Sequence, residues 1–121
     1  MNNDPLKHFM KKGDTGPPLR RTLIENATGL PLDLTGASAK FIMTEADKQT
    51  GKIDAPMIIE TPVSSGVVRY DWAAGDTDTP GDFPSEIQVT LLSGEIVTFP
   101  SGQFEPGKSY IFVKITADLG D

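Results

Sequence analysis

Glycine and proline recur along the whole chain at intervals too short for long helices. Twelve Gly and ten Pro are spread through the 121 residues rather than concentrated in one linker. Gly can adopt positive φ and Pro fixes φ, so each of these positions favours a turn. No window of a dozen residues repeats apolar side chains at helical spacing without an intervening Gly or Pro. The chain is therefore predicted to consist of short strands joined by turns.

The segments between these turns alternate apolar and polar residues with a period of two. In 66–72, Val68, Tyr70 and Trp72 point to one side, and 85–92 repeats the pattern. Candidate strands are 6–11, 20–25, 37–44, 57–61, 66–72, 85–92, 95–99 and 109–116. Ser93-Gly94 predicts a two-residue hairpin loop, and the polar segment 44–49 predicts a loop rather than a helical turn. This pattern is typical of an all-β fold, a single antiparallel β-sandwich (Ig-like or jelly-roll-like) with about eight short strands and little helix.

The same alternation predicts the core and one candidate interface. The residues expected to face inward are Phe41, Met43, Val68, Tyr70, Trp72, Ile87, Val89, Leu91, Val97, Phe99, Ile111, Val113 and Ile115. In the last strand, Tyr110 and Phe112 fall on the opposite face and need cover from a loop or another subunit. Arg20 and Arg21 belong to a basic cluster with Lys7, His8, Lys11 and Lys12. That cluster could meet an acidic partner or form solvated strand edges, and we take Tyr110, Phe112, Arg20 and Arg21 as the candidate interface.

Composition limits the classes of function. The length suits one domain over 1–121, with residues 1–5 and 118–121 expected to be frayed. There is no cysteine, which excludes disulfides and thiol chemistry. Eleven Lys and Arg against seventeen Asp and Glu give a net charge of −6, which disfavours nucleic acid as a partner. No run approaches the ~18 apolar residues of a membrane span, and the first residues do not resemble a signal peptide. A membrane or small-molecule ligand is not expected.

Two groups of residues were candidates for chemistry, and neither predicts a catalytic or metal site. Asp76, Asp78 and Asp82 match some positions of a calcium loop, but Pro80 and Ile87 stand where oxygen ligands are required. We interpret the segment as a turn in which Asp and Thr side chains bond within the chain. His8, the single histidine, is expected on the surface, without a nucleophile motif around it. We predict that the protein is not an enzyme and holds no metal or cofactor.

Several segments together resemble one protein family. They are KGDTGPPL (12–19), DLTGA (33–37), KFIM (40–43), GVVRYDW (66–72), GDTDTPG (75–81) and GEIVTFP (94–100). In this order they are similar to the N-terminal domain of phage baseplate upper proteins and to short phage tail-associated proteins like it. The resemblance implies a β-sandwich with a structural role in a virion and no catalytic residues.

The function expected from this resemblance is that of a non-enzymatic structural protein in the tail tip or baseplate of a tailed bacteriophage. Its expected partners are other phage structural proteins, with a homo-oligomer possible, and its expected location is the virion after synthesis in the host cytoplasm. The alternatives are a carbohydrate-binding module that contacts cell-wall glycan, or a head-fibre or capsid attachment domain. Trp72 separates the structural reading from sugar binding, because a sugar platform requires this ring to be exposed, and we expect it to be buried.

Overall fold

The computed structural model of the chain describes residues 7–25, 27–47, 49–100 and 110–117, and in these residues it contains nine strands and one short 3₁₀ turn. The strands are β1 (Lys7–Lys11), β2 (Leu19–Thr22), β3 (Ser38–Thr44), β4 (Gly51–Pro56), β5 (Ile58–Ile59), β6 (Val67–Tyr70), β7 (Gly81–Thr90), β8 (Ile96–Phe99) and β9 (Ile111–Thr116). The 3₁₀ turn is Val63–Ser65. The predicted strand starts at Leu6 and Ser109 and the predicted frayed ends lie outside the described residues.

The strands form a larger and a smaller sheet. The larger, six-stranded sheet has the order β1-β9-β7-β3-β4, and β8 also pairs with β7. β8 and β9 lie end to end along the same edge of β7, because β9 pairs with its first half and β8 with its second. The smaller sheet has the order β2-β6-β5 and is antiparallel. Met57, whose N–H donates to the Ala39 carbonyl over 2.9 Å, lies where the chain passes from β4 to β5 and so from one sheet to the other.

The core lies between the inner faces of the two sheets. Strand residues alternate between buried and exposed, as in β3, where Ala39, Phe41 and Met43 are buried between less buried neighbours. The buried apolar residues also include Leu23, Leu32 and Leu34 from the segment between β2 and β3. Of the predicted core, Phe41, Met43, Val68, Tyr70, Trp72, Ile87, Val89, Ile111, Val113 and Ile115 are buried, while Leu91, Val97 and Phe99 are partly buried. The period-two pattern thus predicted most of the core.

The predicted all-β sandwich is confirmed, with three corrections. First, β4 was not predicted, because Ile53 is its one inward-facing residue of strong hydrophobicity and an edge strand shows weak alternation. Second, the large sheet is mixed, because β1 runs parallel to β9. Third, five residues rather than two connect β7 to β8. Leu91 N–H donates to the Glu95 carbonyl, which leaves residues 92–94 as the turn, and Gly94 N–H donates to the Leu91 carbonyl. The predicted loop 44–49 starts one residue later, because Thr44 is the last residue of β3, and residues 45–47 and 49 lie outside helices and strands.

Gly66 follows the 3₁₀ turn at φ 71°, and its Cα faces backbone rather than solvent. A Cβ at this position would lie 2.8 Å from the Leu23 carbonyl oxygen and 3.0 Å from the Leu32 nitrogen and oxygen. Leu32 N–H donates a hydrogen bond to the Leu23 carbonyl, and Leu23 N–H donates one to the Gly66 carbonyl. Only glycine allows this close approach without moving the backbone of three segments.

We expect Gly66→Ala to destabilise the fold by roughly 2–4 kcal/mol, because positive φ alone costs about 1–2 kcal/mol and the steric overlap adds to it. Gly29→Ala is the matched control, since Gly29 has φ 72° but nothing within 4 Å of the added Cβ. Gly29→Ala should lower the free energy of unfolding only by the cost of positive φ, about 1–2 kcal/mol. Urea denaturation of both variants measures the difference, and equal losses would show that the close approach at Gly66 is unimportant.

Candidate binding surface

The parallel pairing of β1 with β9 combines two phenylalanines and three lysines on the outer face of the large sheet. His8 and Met10 of β1 point inward, so Lys7, Phe9 and Lys11 point outward. On β9, Val113 and its inward neighbours leave Phe112 and Lys114 on the outer face. The register places Lys7 beside Phe112 and Phe9 beside Lys114. We name these five residues, Lys7, Phe9, Lys11, Phe112 and Lys114, the Phe–Lys face.

The Phe–Lys face is both apolar and basic. Phe9 is 49% exposed, Phe112 is half-buried, and the three lysines are exposed. Across the next strand, Asp82 lies opposite Lys114. Within the described part of the chain, no ion pair within 4.0 Å joins Lys7, Lys11 or Lys114 to a carboxylate. Asp14 is also close, because its carboxylate accepts a hydrogen bond from Lys11 N–H over 3.3 Å. The local balance is therefore three lysines against two aspartates, in a chain whose net charge is −6.

The surface has a concave centre and an aromatic border. Lys7, Phe9, Asp82, Phe112 and Lys114 line a depression of about 270 Å³. Tyr110 meets Phe112 edge to face, with ring centroids 6.5 Å apart, and lines a smaller neighbouring depression above Pro84. Pro84 belongs to the outer side of β7 yet is buried, which agrees with cover from these aromatic rings.

The structure does not bring the four predicted interface residues together. Tyr110 and Phe112 lie on the outer side of the large sheet, as the alternation predicted. Arg20 lies on the outer side of the small sheet, where its guanidinium donates to both Glu60 carboxylate oxygens over 2.8 and 2.9 Å. This contact holds the pKa of Glu60 below its usual value. Arg21 instead links the two sheets at one side of the sandwich, donating to the Lys7 carbonyl over 3.2 Å.

The prediction that His8 is a surface histidine was wrong. His8 is 9% exposed and its ring stacks on Trp72, with centroids 5.7 Å apart and planes at 26°. The cause is its position in β1, where the inward phase of the alternation directs it into the sandwich. Burial lowers the pKa of His8, the nearby Arg21 charge lowers it further, and a hydrogen bond to the Pro17 carbonyl opposes both.

Trp72 is buried, as predicted. It is 5% exposed and makes edge contacts with Phe41 and Tyr70, with centroid separations of 5.6 and 5.2 Å. The ring therefore has no face open to a sugar, and the carbohydrate-binding hypothesis loses the residue on which it depended.

The acidic turn bonds within the chain, which confirms its interpretation as a structural corner. Asp76 accepts the Tyr70 hydroxyl over 2.6 Å and the Ala73 N–H over 2.8 Å. Burial raises the pKa of Tyr70, and the bond to Asp76 adds to this effect. Asp78 pairs with Lys52 at 2.9 Å. Among the described residues, no three His, Cys, Asp or Glu side chains converge as a metal site would require, and no helix is long and apolar enough to cross a membrane.

Sequence reasoning missed Phe9 and Lys114 as surface residues that belong together. The signal was present in KHFMK, where Lys7, Phe9 and Lys11 alternate with the apolar side. The sequence did not predict that the first strand, β1, pairs with the last, β9. That pairing brings Phe9 and its lysines next to Phe112 and Lys114.

Comparison with known proteins establishes the fold alone. No family model matches the sequence, and no curated protein matches it. Among solved structures, CopC from Methylosinus trichosporium OB3b is similar, with a TM-score of 0.52 and 8% sequence identity. The match covers 93% of this chain and 86% of that chain. So low an identity supports a common β-sandwich architecture and carries no ligand or activity across.

The predicted function of a phage tail or baseplate structural protein is contradicted by this match. A solved protein that shares the fold over nearly the whole chain is CopC, and neither the family models nor the curated proteins supply a phage relative. We therefore withdraw that function together with its head-fibre or capsid alternative. The comparisons do not test the family resemblance itself, the virion location or the absence of enzymatic activity, which remain predictions.

A physical reason explains why the quoted segments pointed to a function they do not carry. Six of their seven glycines have positive φ, namely Gly13, Gly36, Gly66, Gly75, Gly81 and Gly94. Their apolar residues alternate along strands that face the core. Both are requirements of the sandwich fold, so they indicate architecture and say little about partners.

The buried position of Trp72 predicts weak quenching of its fluorescence. Because this is the one tryptophan of the chain, its emission reports a single environment. Acrylamide should quench the native protein several-fold less efficiently than the urea-unfolded protein at the same concentration. Soluble cell-wall sugars should leave the quenching unchanged. Native quenching close to that of the unfolded chain would contradict the packing of Trp72 against His8 and Tyr70.

Proposed function

We propose that this protein is a non-catalytic binding domain that docks an extended acidic segment of a partner protein on the Phe–Lys face. The observation that carries the proposal is the register of β1 with β9, which alternates phenyl and ammonium groups on one exposed surface. Aromatic side chains provide apolar contact area at interfaces, and the lysines favour a partner of opposite charge.

The spacing of the Phe–Lys face fits an extended segment. Outward residues of one strand are about 6.6–6.8 Å apart, and an extended partner presents its own alternate side chains at the same interval. Along β1 the order is Lys7, Phe9, Lys11. A partner lying along this strand matches it with the pattern acidic-x-apolar-x-acidic. Phe112 and Lys114 of β9 then flank the same segment.

Charge supports an acidic partner despite the net charge of the chain. At physiological ionic strength, exposed charges interact over a Debye length of about 8 Å, so a docked segment responds mainly to the nearest groups. Those groups are three lysines, Asp82 and Asp14, which leaves a small local excess of positive charge. The long-range field of a chain with net charge −6 disfavours a polyanion such as nucleic acid more than a short acidic segment.

Contacts at the open edge of β1 favour docking on the face over addition of a further strand. Two of the backbone groups of β1 are already used, because Arg21 donates to the Lys7 carbonyl and Lys11 N–H donates to Asp14 over 3.3 Å. An added strand would have to displace both contacts. The side-chain surface of β1 needs no such rearrangement.

The position of His8 supports a non-catalytic role. It is the single histidine, and the chain has no cysteine. Its imidazole is enclosed between β1 and Trp72, so it does not offer a general base to a surface ligand.

Substitutions on the Phe–Lys face should reduce binding without unfolding the protein. We expect the double change Phe9→Ser and Phe112→Ser to weaken binding at least tenfold, because interface aromatics are typical sites of large loss. Ile58→Ser is the matched control, since Ile58 is 45% exposed but lies in the small sheet. Lys7→Glu with Lys114→Glu should weaken binding similarly and lower its salt dependence. Lys40→Glu is the charge control, because Lys40 lies on β3, near the opposite edge of the large sheet from β1.

The partner can be sought by site-specific photo-crosslinking in the source cells, with the probe at position 9 and a control at position 58. The expected result is a protein crosslinked from position 9, with the attachment point mapped by mass spectrometry to an acidic segment. Binding of that segment as a synthetic peptide then provides the assay for the variants. Attachment to a basic or neutral segment, attachment to nucleic acid, or equal yields from both positions would each overturn the proposal.

A further inference from the structure

His8 belongs to the strand that carries half of the Phe–Lys face, and its inward side chain is in an environment that disfavours the protonated form. The ring lies between β1 and Trp72. Its Nε2 is buried and has no hydrogen-bond partner within the described ranges, and the same holds for Trp72 Nε1. A protonated imidazole needs an acceptor for both N–H groups. In this packing, the second proton would have none.

Among the residues that the structure describes, the groups around His8 supply no compensating negative charge. From β2, Arg21 contributes a positive charge. From the β1–β2 loop, the Pro17 carbonyl accepts a hydrogen bond, while the Asp14 carboxylate bonds to Lys11 N–H. From β6 and the turn after it, Tyr70 is bonded to Asp76. The inward residues facing it from β9 and β7 are apolar, namely Val113, Ile115 and Phe83.

β1 can open without breaking the centre of the large sheet. It is at one end of that sheet, as β4 is at the other, and it pairs with one strand, β9. Local openings begin where the fewest contacts must break, and a terminal strand meets that condition. Opening β1 would bring the imidazole into water, where protonation is favourable. It would also separate Lys7, Phe9 and Lys11 from Phe112 and Lys114.

We propose that His8 is an acid-sensitive latch whose protonation releases β1 from β9 and so dismantles the Phe–Lys face. The link to binding rests on the proposed function, whereas the latch itself is a property of the isolated chain. The pKa of His8 is lower in the closed form than its ordinary value near 6.5. The closed form of β1 therefore has its full stability relative to the open form at pH values above about 6.5. Stability falls as the pH drops below about 6.5, until the closed form is protonated too.

Hydrogen exchange of the full chain measures the latch strand by strand. After correction for intrinsic exchange rates, the opening constant of β1 amides should rise up to about fivefold between pH 6.5 and 5.5, because half of the opened His8 is already protonated at pH 6.5. Amides in the pairing of β3 with β7 should change far less. Trp72 fluorescence provides a second signal, because the one tryptophan is stacked on the one histidine. Its emission should titrate over the same range.

Two substitutions of His8 and one of Arg21 separate the latch from general acid sensitivity. His8→Gln keeps a polar group without titrating, and His8→Phe keeps the stack on Trp72 if the glutamine variant does not fold. Both should abolish the fluorescence titration and the acid-induced opening of β1. Arg21→Met should open β1 more at neutral pH, because it removes the bond to Lys7, yet show a shallower pH dependence because a repulsive charge is gone.

The outcomes distinguish this proposal from the one on binding. The same acid-induced opening in the His8 variants, or simultaneous opening of every strand, would falsify the latch. Loss of peptide binding at pH 7.5 by the Phe9 and Phe112 variant tests the binding function without any protonation of His8. If the latch operates but the face binds no acidic segment, the proposed function fails and the latch stands.

Discussion

The parallel pairing of β1 with β9 is the contact on which both the core and the candidate surface depend. It joins Lys7 to Phe112, residues from opposite ends of the chain, so forming it requires closing a very long loop. Burial of His8 and Met10 against the interior offsets that entropy loss. Without this pairing, Trp72 would lose its stacking partner, and the Phe–Lys face would be divided.

β1 meets two different requirements with its two sides. Its inner side needs an uncharged imidazole beside Trp72, and its outer side presents Lys7, Phe9 and Lys11. Since alternate residues of one strand belong to opposite faces, a change on the inner side alters the outer side through the backbone alone. A proton at His8 can therefore act on a surface that the histidine never touches, which is the physical basis of the latch.

The fold was largely predictable because its signals are local. Alternation over 66–72 and 85–92 identified two strands and the buried position of Trp72, and the acidic turn between them was interpreted correctly as bonded within the chain. β4 escaped prediction because an edge strand needs only one buried side, here marked by Ile53. The same signals that predicted the fold correctly led to the wrong function. Turn glycines and alternating strands are demanded by the architecture, and many unrelated proteins use that architecture.

The sequence by itself determined that the chain is a β-sandwich, that Trp72 is inside and that Phe112 is on the outer face, because each follows from a period of two along one strand. Only the tertiary structure decided that β1 runs beside β9, that His8 is enclosed, and that Phe9 and Lys114 are neighbours. Strand order and direction depend on which edges of the sheet are free when distant segments meet. No local pattern contains that information, since the same alternation suits either edge and either direction.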